Sequence, residues 1–209
     1  MKTAKILLLI AGLTLILSLL AGCEGNSKGE TALQRCGIAP QTKESAKKDQ
    51  DKDENKDQSG MPDIRSFTAQ TLGGGTFTEK DLAGHDLTMI NIWQTMCGPC
   101  IEEMPDLAKL ASSMPDRVLV ATWCLDGDAD VETTEKIMEN SGFKGPTLLS
   151  GDGDLEELMK ELMYTPTTVI VDSGGHMVGE PLIGSSEDPE KTYTDYINRA
   201  LKELGKETL

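Results

Sequence analysis

The chain has 209 residues, with 20 Lys and Arg against 35 Asp and Glu, and a formal net charge of −15. This length allows one domain of ordinary size with extensions and excludes a large multidomain enzyme. The negative charge opposes the phosphates of DNA and RNA, whose binding depends on Lys and Arg, so we expect no nucleic acid partner.

Residues 1–22 have the pattern of a secretory signal peptide. Lys2 and Lys5 precede an apolar run at 6–20, which is shorter than the roughly 20 residues that a membrane-spanning helix needs. The run ends in Leu20-Ala21-Gly22-Cys23, which resembles the bacterial lipobox. The resemblance implies cleavage before Cys23 and lipidation of its thiol, and the alternative is an uncleaved anchor helix. Both interpretations place the rest of the chain outside the cytoplasm.

Residues 23–60 are predicted to form a charged, disordered tether. The stretch 41–60 mixes Lys with Asp and Glu and contains almost no large apolar residue. Such a segment cannot bury a core, so we expect it to stay solvated and mobile. As a flexible coil the tether would have a root-mean-square reach of about 35 Å. It would connect the lipid to the domain predicted at 61–209.

The domain at 61–209 is predicted to have an α/β fold, and its 27 acidic residues outnumber its 11 basic ones. An extra hairpin is expected over 67–77, around three consecutive glycines. The continuous apolar run 87–93 predicts a central strand that is covered on both faces. Apolar residues at helical spacing then predict a helix from Cys97 to Met114.

The remaining elements are predicted from the same periodicities. They are a strand at 118–125, a helix at 130–140, a strand at 146–149, a helix at 155–163, strands at 167–171 and 177–183, and a helix at 189–204. Strands that alternate with helices and then close with an antiparallel pair imply a mixed central sheet flanked by helices.

Cys97 and Cys100 enclose Gly-Pro at the start of the first long helix. This spacing brings the two sulfurs within bonding reach, and the helix N-terminus stabilises a thiolate at Cys97. Cys97 would attack a target disulfide, and Cys100 would then resolve the mixed disulfide.

Three alternatives compete with a redox-active pair. A zinc site would need a second Cys or His pair, but Cys36, Cys124, His85 and His176 are isolated from one another. A structural disulfide that closes so short a loop would constrain the unfolded chain little. A peroxide-reducing thiolate would need a nearby Arg, and the stretch 66–116 contains none. We therefore expect a redox pair with neither metal nor cofactor.

The segment 93–105, WQTMCGPCIEEMP, resembles the active-site segment of the thioredoxin superfamily, and specifically that of the TlpA/ResA-like membrane-tethered thiol–disulfide reductases. The resemblance extends over roughly 61–205 and implies a thioredoxin-like fold. The extra N-terminal hairpin before the first central strand is also consistent with this subgroup. The segment 164–168, YTPTT, occurs where the family has its cis-proline loop. The resemblance therefore implies that Pro166 lies against the disulfide and that the backbone of Thr165 pairs with substrate.

Three residues near the cysteines bear on the mechanism. Asn91 stands where cytoplasmic thioredoxins have a buried Asp, so their usual proton acceptor is absent. Glu103 matches the family's active-site Glu and, if buried, could take the proton of Cys100. The alternative is an exposed Glu on the first helical turn. Met96 replaces the aromatic residue that is common before the first Cys, and we assign it to the substrate surface.

Two features are left over. Cys124 is either a relay near the redox pair or a buried inert thiol, and free Cys is among the most buried residue types. A bond between Cys36 and Cys124 is geometrically allowed. The acidic runs 126–130 and 152–154 resemble calcium loops but lack the closing Glu, so we interpret them as helix N-caps.

The sequence thus predicts a lipid-anchored, extracytoplasmic thiol–disulfide oxidoreductase that works as a reductase. The Gly-Pro dipeptide between Cys97 and Cys100 is that of thioredoxin, which favours the reducing direction. The alternatives are a non-catalytic thioredoxin-like binding lipoprotein and an oxidase that donates disulfides. Expected partners are exported proteins with disulfides and a membrane-embedded dithiol electron carrier.

Overall fold

A mixed sheet organises residues 60–209, the part of the chain that this computed structural model describes. The strands of this part are β1 (Thr68–Thr71), β2 (Thr76–Thr78), β3 (Leu87–Trp93), β4 (Val118–Cys124), β5 (Thr147–Gly151), β6 (Thr167–Asp172) and β7 (Leu182–Ile183). Its helices are α1 (Glu79–Leu82), α2 (Gly98–Ser113), α3 (Val131–Ser141), α4 (Asp154–Glu161) and α5 (Pro189–Glu203). The strands lie in the order β2-β1-β5-β4-β3-β6-β7.

Strand directions decide which loops share an edge of the sheet. β3, β4 and β5 run parallel, whereas β6 runs antiparallel to β3, with Ile92 opposite Thr167. β7 runs antiparallel to β6, and its last residue, Ile183, pairs with Thr167 at the start of β6. The segments that follow β3, β4, β5 and β7 therefore meet the segment that precedes β6 at one edge, which we call the upper edge.

The strand β3 is buried along its whole length, and its residues alternate between two cores. Leu87, Met89 and Trp93 pack on the side of α2 and α5, whereas Ile90 and Ile92 pack on the other side, with α4 and the β1–β2 pair. This continuous burial explains the unbroken apolar run of the sequence. It also orients Asn91, which lies between Met89 and Trp93 in the alternation, towards α2 and α5.

The predicted fold class, a mixed sheet flanked by helices, is confirmed, and the predicted strands and helices shift by a few residues at their ends. Within the segment expected to form a hairpin, β1 and β2 pair antiparallel. The expected strand at 177–183 is wrong over most of its length, because only β7 and one bridge from Met177 to Val171 are formed. Gly179 has a φ of +69° and Pro181 has no N–H to donate, so the chain between them cannot continue a ladder.

Within residues 60–209, no helix is both long and apolar enough to cross a membrane. The predicted signal peptide, Cys23, Cys36 and the tether up to residue 59 lie outside the described residues. The domain boundaries therefore stay predictions.

Candidate active site

Cys97 and Cys100 form a disulfide at the upper edge, where β3 leads into α2. The two sulfurs are 1.99 Å apart and the Cα atoms 5.3 Å apart. Cys97 is half-buried, whereas Cys100 is fully buried among core residues such as Met104. Only Cys97 is accessible to another molecule, so the two sulfurs are not equivalent.

The local sequence places Cys97 at the N-cap of α2. Its backbone is extended, with φ −87° and ψ 95°, and its side chain makes no capping hydrogen bond. Pro99 lies in the first turn of α2. A backbone N–H at this position has no acceptor within the helix, so proline, which lacks the N–H, is tolerated there. The first turn contains no acidic residue, and Cys97 lies at the positive end of the helix dipole.

The loop between β3 and α2 is fastened to the neighbouring strand end by Asp126. Its carboxylate accepts hydrogen bonds from the backbone N–H of Thr95 at 2.9 Å and from the Thr95 hydroxyl at 2.7 Å. It also accepts one from the Cys124 thiol at 3.2 Å. Burial alone would raise the pKa of Asp126, but these hydrogen bonds outweigh it and hold the pKa below its ordinary value. Asp126 is thus ionised and orients the residues just before Cys97.

Cys124 is fully buried at the end of β4. Its thiol lies 3.7 Å from the Thr134 hydroxyl and donates to Asp126. Burial and the neighbouring carboxylate raise the pKa of Cys124 to about 12, so the thiol stays protonated at neutral pH. This environment favours the inert thiol over the relay.

Glu103 lies one helical turn after Cys100 on the buried face of α2, with 3% of its surface exposed. The alternative of an exposed carboxylate on the first turn is therefore wrong. Its Oε1 accepts hydrogen bonds from the Asn91 side chain at 3.0 Å and from the Tyr193 hydroxyl at 2.9 Å. Asn91 also donates to the Thr168 hydroxyl at 3.0 Å, so the network joins β3, α2, β6 and α5.

Burial dominates the electrostatics of this network. It raises the pKa of Glu103, and the hydrogen bonds from Tyr193 and Asn91 offset only part of the rise. The same burial, together with the Glu103 charge, raises the pKa of Tyr193, which therefore stays a hydrogen-bond donor. The second oxygen of Glu103, Oε2, has no hydrogen-bond partner among the described residues. Glu103 is thus a carboxyl whose proton affinity is increased, close to Cys100 along the helix.

The predicted cis-proline loop lies at the upper edge beside the disulfide-bearing loop. The Thr165–Pro166 peptide bond is cis, as the resemblance implied. Pro166 is buried and its carbonyl accepts the N–H of Gly184 at 2.8 Å, while Thr165 is half-buried. Met96 is 91% exposed immediately before Cys97.

The acidic runs were interpreted as helix N-caps, which is right only for Asp130, whose side chain accepts the Thr133 N–H at the start of α3. Asp152 accepts the Thr68 N–H, and Asp154 accepts those of residues 65 and 66, so both hold the segment around β1. Among residues 60–209, no three His, Cys, Asp or Glu side chains are grouped as metal ligands.

Comparisons with known proteins agree with this fold. A model of the Redoxin family matches residues 56–196, so the chain belongs to the Redoxin family. The thioredoxin-like protein YneN of Bacillus subtilis (strain 168) is 27% identical over 110 residues, which are 52% of this chain and 63% of YneN. The chain thus matches less than two thirds of the length of that relative.

Three solved structures have the same architecture. The thioredoxin domain of a thiol-disulfide oxidoreductase from Bacteroides vulgatus superposes with a TM-score of 0.53 at 19% identity, over 66% of this chain and 98% of that one. StoA from Bacillus subtilis gives 0.50 at 20%, over 63% and 98%. The pneumococcal exposed lipoprotein thioredoxin Etrx1, from Streptococcus pneumoniae, gives 0.50 at 22%, over 62% and 96%. These likenesses show a thioredoxin-like fold.

Asp126 and Tyr193 are the two site residues that sequence reasoning missed. Asp126 is the first polar residue after β4, a buried strand that runs parallel to β3. This position could have indicated that its side chain lies near the loop that follows β3. Tyr193 lies 90 residues from Glu103, and nothing in its local pattern distinguishes it from a core aromatic residue.

The substitution Asp126→Asn is expected to loosen the loop before Cys97. It removes the charge and one of the two acceptor oxygens, which should lower the free energy of unfolding by about 1–2 kcal/mol in urea titrations at pH 7. Because the pKa is lowered in the folded state, this stabilisation is present above the unfolded pKa of about 3.9 and is lost in stronger acid. Asp128→Asn is the matched control, and equal losses from both variants would contradict the role of Asp126.

Proposed function

We propose that this protein is a thiol–disulfide oxidoreductase whose redox centre is the Cys97–Cys100 pair. The observation that carries the proposal is the disulfide at the N-terminus of α2, with one half-buried and one buried cysteine. A staple in a binding protein would not need an accessible sulfur at the positive end of a helix. The Redoxin family and the thioredoxin-like fold support the same activity.

The reaction follows from this asymmetry. In the reduced protein, the Cys97 thiolate attacks one sulfur of a target disulfide, forms a mixed disulfide and expels the other target sulfur as a thiolate. Cys100 then loses its proton and attacks the sulfur of Cys97, which releases the second target thiolate. Two electrons pass in total from the reduced pair to the target, the one proton lost by Cys100 is taken up by one of the two target thiolates or by solvent, and Cys97–Cys100 becomes oxidised. The reverse sequence would oxidise a target dithiol.

The forward, reducing direction is the one we propose. The Gly98-Pro99 dipeptide is that of thioredoxin, and a helix dipole that stabilises the Cys97 thiolate keeps the attacking group available. A reductase outside the cytoplasm must regain two electrons after each cycle. We therefore assign a membrane-embedded dithiol protein as electron donor and exported proteins with disulfides as substrates.

Glu103 is the proposed acceptor of the Cys100 proton. Asn91 occupies the position of the buried Asp of cytoplasmic thioredoxins and cannot act as a base, but it donates a hydrogen bond that holds Oε1 of Glu103. Oε2 is the Glu103 oxygen that has no hydrogen-bond partner within residues 60–209. A raised pKa brings the carboxyl closer to neutrality, where it can accept and return a proton during turnover.

Lipidation of Cys23 and an extracytoplasmic location complete the proposal. Their support is the Leu20-Ala21-Gly22-Cys23 motif after a short apolar run. One protein of this fold, Etrx1, is itself described as an exposed lipoprotein. A tether with a reach of about 35 Å would keep the redox domain near a membrane-embedded partner and raise its effective concentration there.

Cys97→Ser and Cys100→Ser should have different consequences. Cys97→Ser removes the attacking sulfur, so the reduction of a peptide disulfide should fall to the uncatalysed rate. Cys100→Ser keeps the attack but loses the release, so a mixed disulfide through Cys97 should accumulate and be visible by mass spectrometry. Faster alkylation of Cys100 than of Cys97 in the reduced protein would reverse the two assignments.

Glu103→Gln should remove one ionisation from the pH dependence of disulfide reduction. Gln keeps an acceptor oxygen for Asn91 and Tyr193 but cannot take a proton, so we expect a rate lower by roughly 100-fold or more above the pKa of Glu103 in the wild type. Stopped-flow measurement of reduction between pH 4 and 9 tests this. Glu139→Gln, which is exposed near the C-terminal end of α3 and far from the disulfide, is the matched control.

Stability supplies an independent measurement of the same group. A carboxyl with a raised folded pKa binds its proton more tightly when folded, so stability declines as pH rises from the unfolded pKa of about 4.3 through the folded value. Glu103→Gln should therefore gain stability over the wild type above this range and not below it. Identical pH profiles for rate and stability in both proteins would leave Glu103 without a proton role.

Labelling with an alkyne fatty acid tests the anchor. The wild type should incorporate the label, Cys23→Ser should lose it completely, and Cys36→Ser should retain it as the matched control.

In native membranes, Cys100→Ser should trap a membrane-embedded dithiol protein through Cys97. Trapping of soluble envelope proteins alone, with Cys97–Cys100 fully oxidised in growing cells, would favour the oxidase or the binding protein.

A further inference from the structure

Large apolar side chains are exposed around the redox pair. Met96 is 91% exposed, Met163 80%, Tyr164 64% and Ile183 61%. Met96 precedes Cys97, whereas Met163 and Tyr164 immediately precede Thr165 and Pro166. Ile183 is aligned with the start of β6 by its pairing with Thr167. All four therefore lie at the upper edge of the sheet, in the segments that adjoin the disulfide.

The composition of this surface is that of a protein-binding surface. Met and aromatic residues are enriched at the centres of protein interfaces, where they bury much apolar area, and Met adapts its shape to different partners. Here they stand beside a sulfur that must come within bonding distance of a sulfur in another molecule. We call these four residues the apolar surface.

Acidic residues surround the apolar surface. The four upper-edge segments that adjoin β3 or its neighbouring strands, 94–102, 125–132, 161–166 and 184–190, contain nine carboxylates and not one Lys or Arg. These carboxylates are Glu102, Asp126, Asp128, Asp130, Glu132, Glu161, Glu187, Asp188 and Glu190, which we call the acidic rim. Farther along the same edge, beside β5 and β1, the chain adds Asp152, Asp63 and Arg65. The nearest lysines along the chain, Lys160 and Lys191, are both engaged by carboxylates of their own helices.

The opposite edge of the sheet has a different balance. Its segments at 83–86, 114–117, 142–146, 173–176 and 204–209 contain three basic residues and three carboxylates. Arg117 and Lys206 both contact Asp86 there. Along these segments, carboxylates far outnumber basic residues on the side that carries the disulfide and only balance them at the opposite edge.

We propose that the upper edge is a docking surface for positively charged protein substrates, in which Lys or Arg residues flank an accessible disulfide and an adjacent apolar side chain. This inference rests on the proposed function and specifies its substrate class. The apolar surface contacts the segment that carries the disulfide, and the acidic rim attracts the flanking cations. An acidic substrate is repelled by the same rim, so the rim selects among partners before any covalent step.

Two synthetic peptides with one intramolecular disulfide test this charge selection. They share length and apolar residues, but one carries Lys and the other Glu on both sides of the disulfide. Reduction of each by the full-length protein, pre-reduced with dithiothreitol and freed of it, is followed by stopped flow. At low ionic strength the Lys peptide should react about tenfold faster or more, and the ratio should approach one in about 0.5 M salt, where charges are screened.

Matched variants assign the effect to the rim. The double substitution Asp128→Asn/Glu187→Gln should reduce the ratio of the two peptide rates several-fold. Glu203→Gln/Glu207→Gln, which changes the net charge equally at the end of α5 and in the segment after it, should leave the ratio as in the wild type. Met163→Ser should slow the reduction of both peptides by raising KM, because it removes an apolar contact without changing the charge of the surface.

An uncharged disulfide separates this inference from the proposed function. Failure to reduce bis(2-hydroxyethyl) disulfide would overturn the oxidoreductase assignment itself. Reduction of that compound together with equal rates for the two peptides at low salt would overturn only the charge selection. An equal effect of both double variants would show that net charge, and not the acidic rim, sets the preference.

Discussion

Burial of β3 on both faces is the constraint on which the arrangement of the site depends. A strand covered by two cores cannot slip by one residue without sending its apolar set to the wrong side. Its register with β4 and β6 is therefore strongly specified. That register brings the end of β3, the loop after β4 and the cis-proline loop before β6 to the same edge. The disulfide, Asp126 and Pro166 meet there because of strand alignment and not because of proximity in sequence.

The two cysteines have different electrostatic environments, and these environments give them different roles. Cys97 is half-buried at the N-cap position of α2, at the positive end of the helix dipole, and the first turn contains no carboxylate. Cys100 points into the core on the same face as Glu103, a carboxyl whose burial favours its protonated form. One end of the pair is thus suited to hold negative charge, and the other adjoins a group able to exchange a proton.

The parts of the site that depend on local sequence could be predicted. The spacing of Cys97 and Cys100 at a helix start and the exposed position of Met96 follow from short segments, whereas the cis peptide at Pro166 was implied by the family resemblance. The sequence could not decide whether Glu103 is buried or exposed, because the helical periodicity of α2 is compatible with both positions of this side chain relative to the apolar stripe. The strand expected at 177–183 was wrong because its apolar residues suggested alternation while Gly179 and Pro181 interrupt the ladder.

The sequence by itself determined the fold class, the redox pair and its place at the start of a helix, since periodicity and spacing are local properties that neighbouring residues impose. Only the tertiary structure decided which distant groups act on that pair. Asp126 reaches Thr95 because two parallel strands end together, and Tyr193 reaches Glu103 because α5 packs on α2. The concentration of acidic residues around the disulfide is likewise a result of folding, because four separate segments come together only when their strands are aligned.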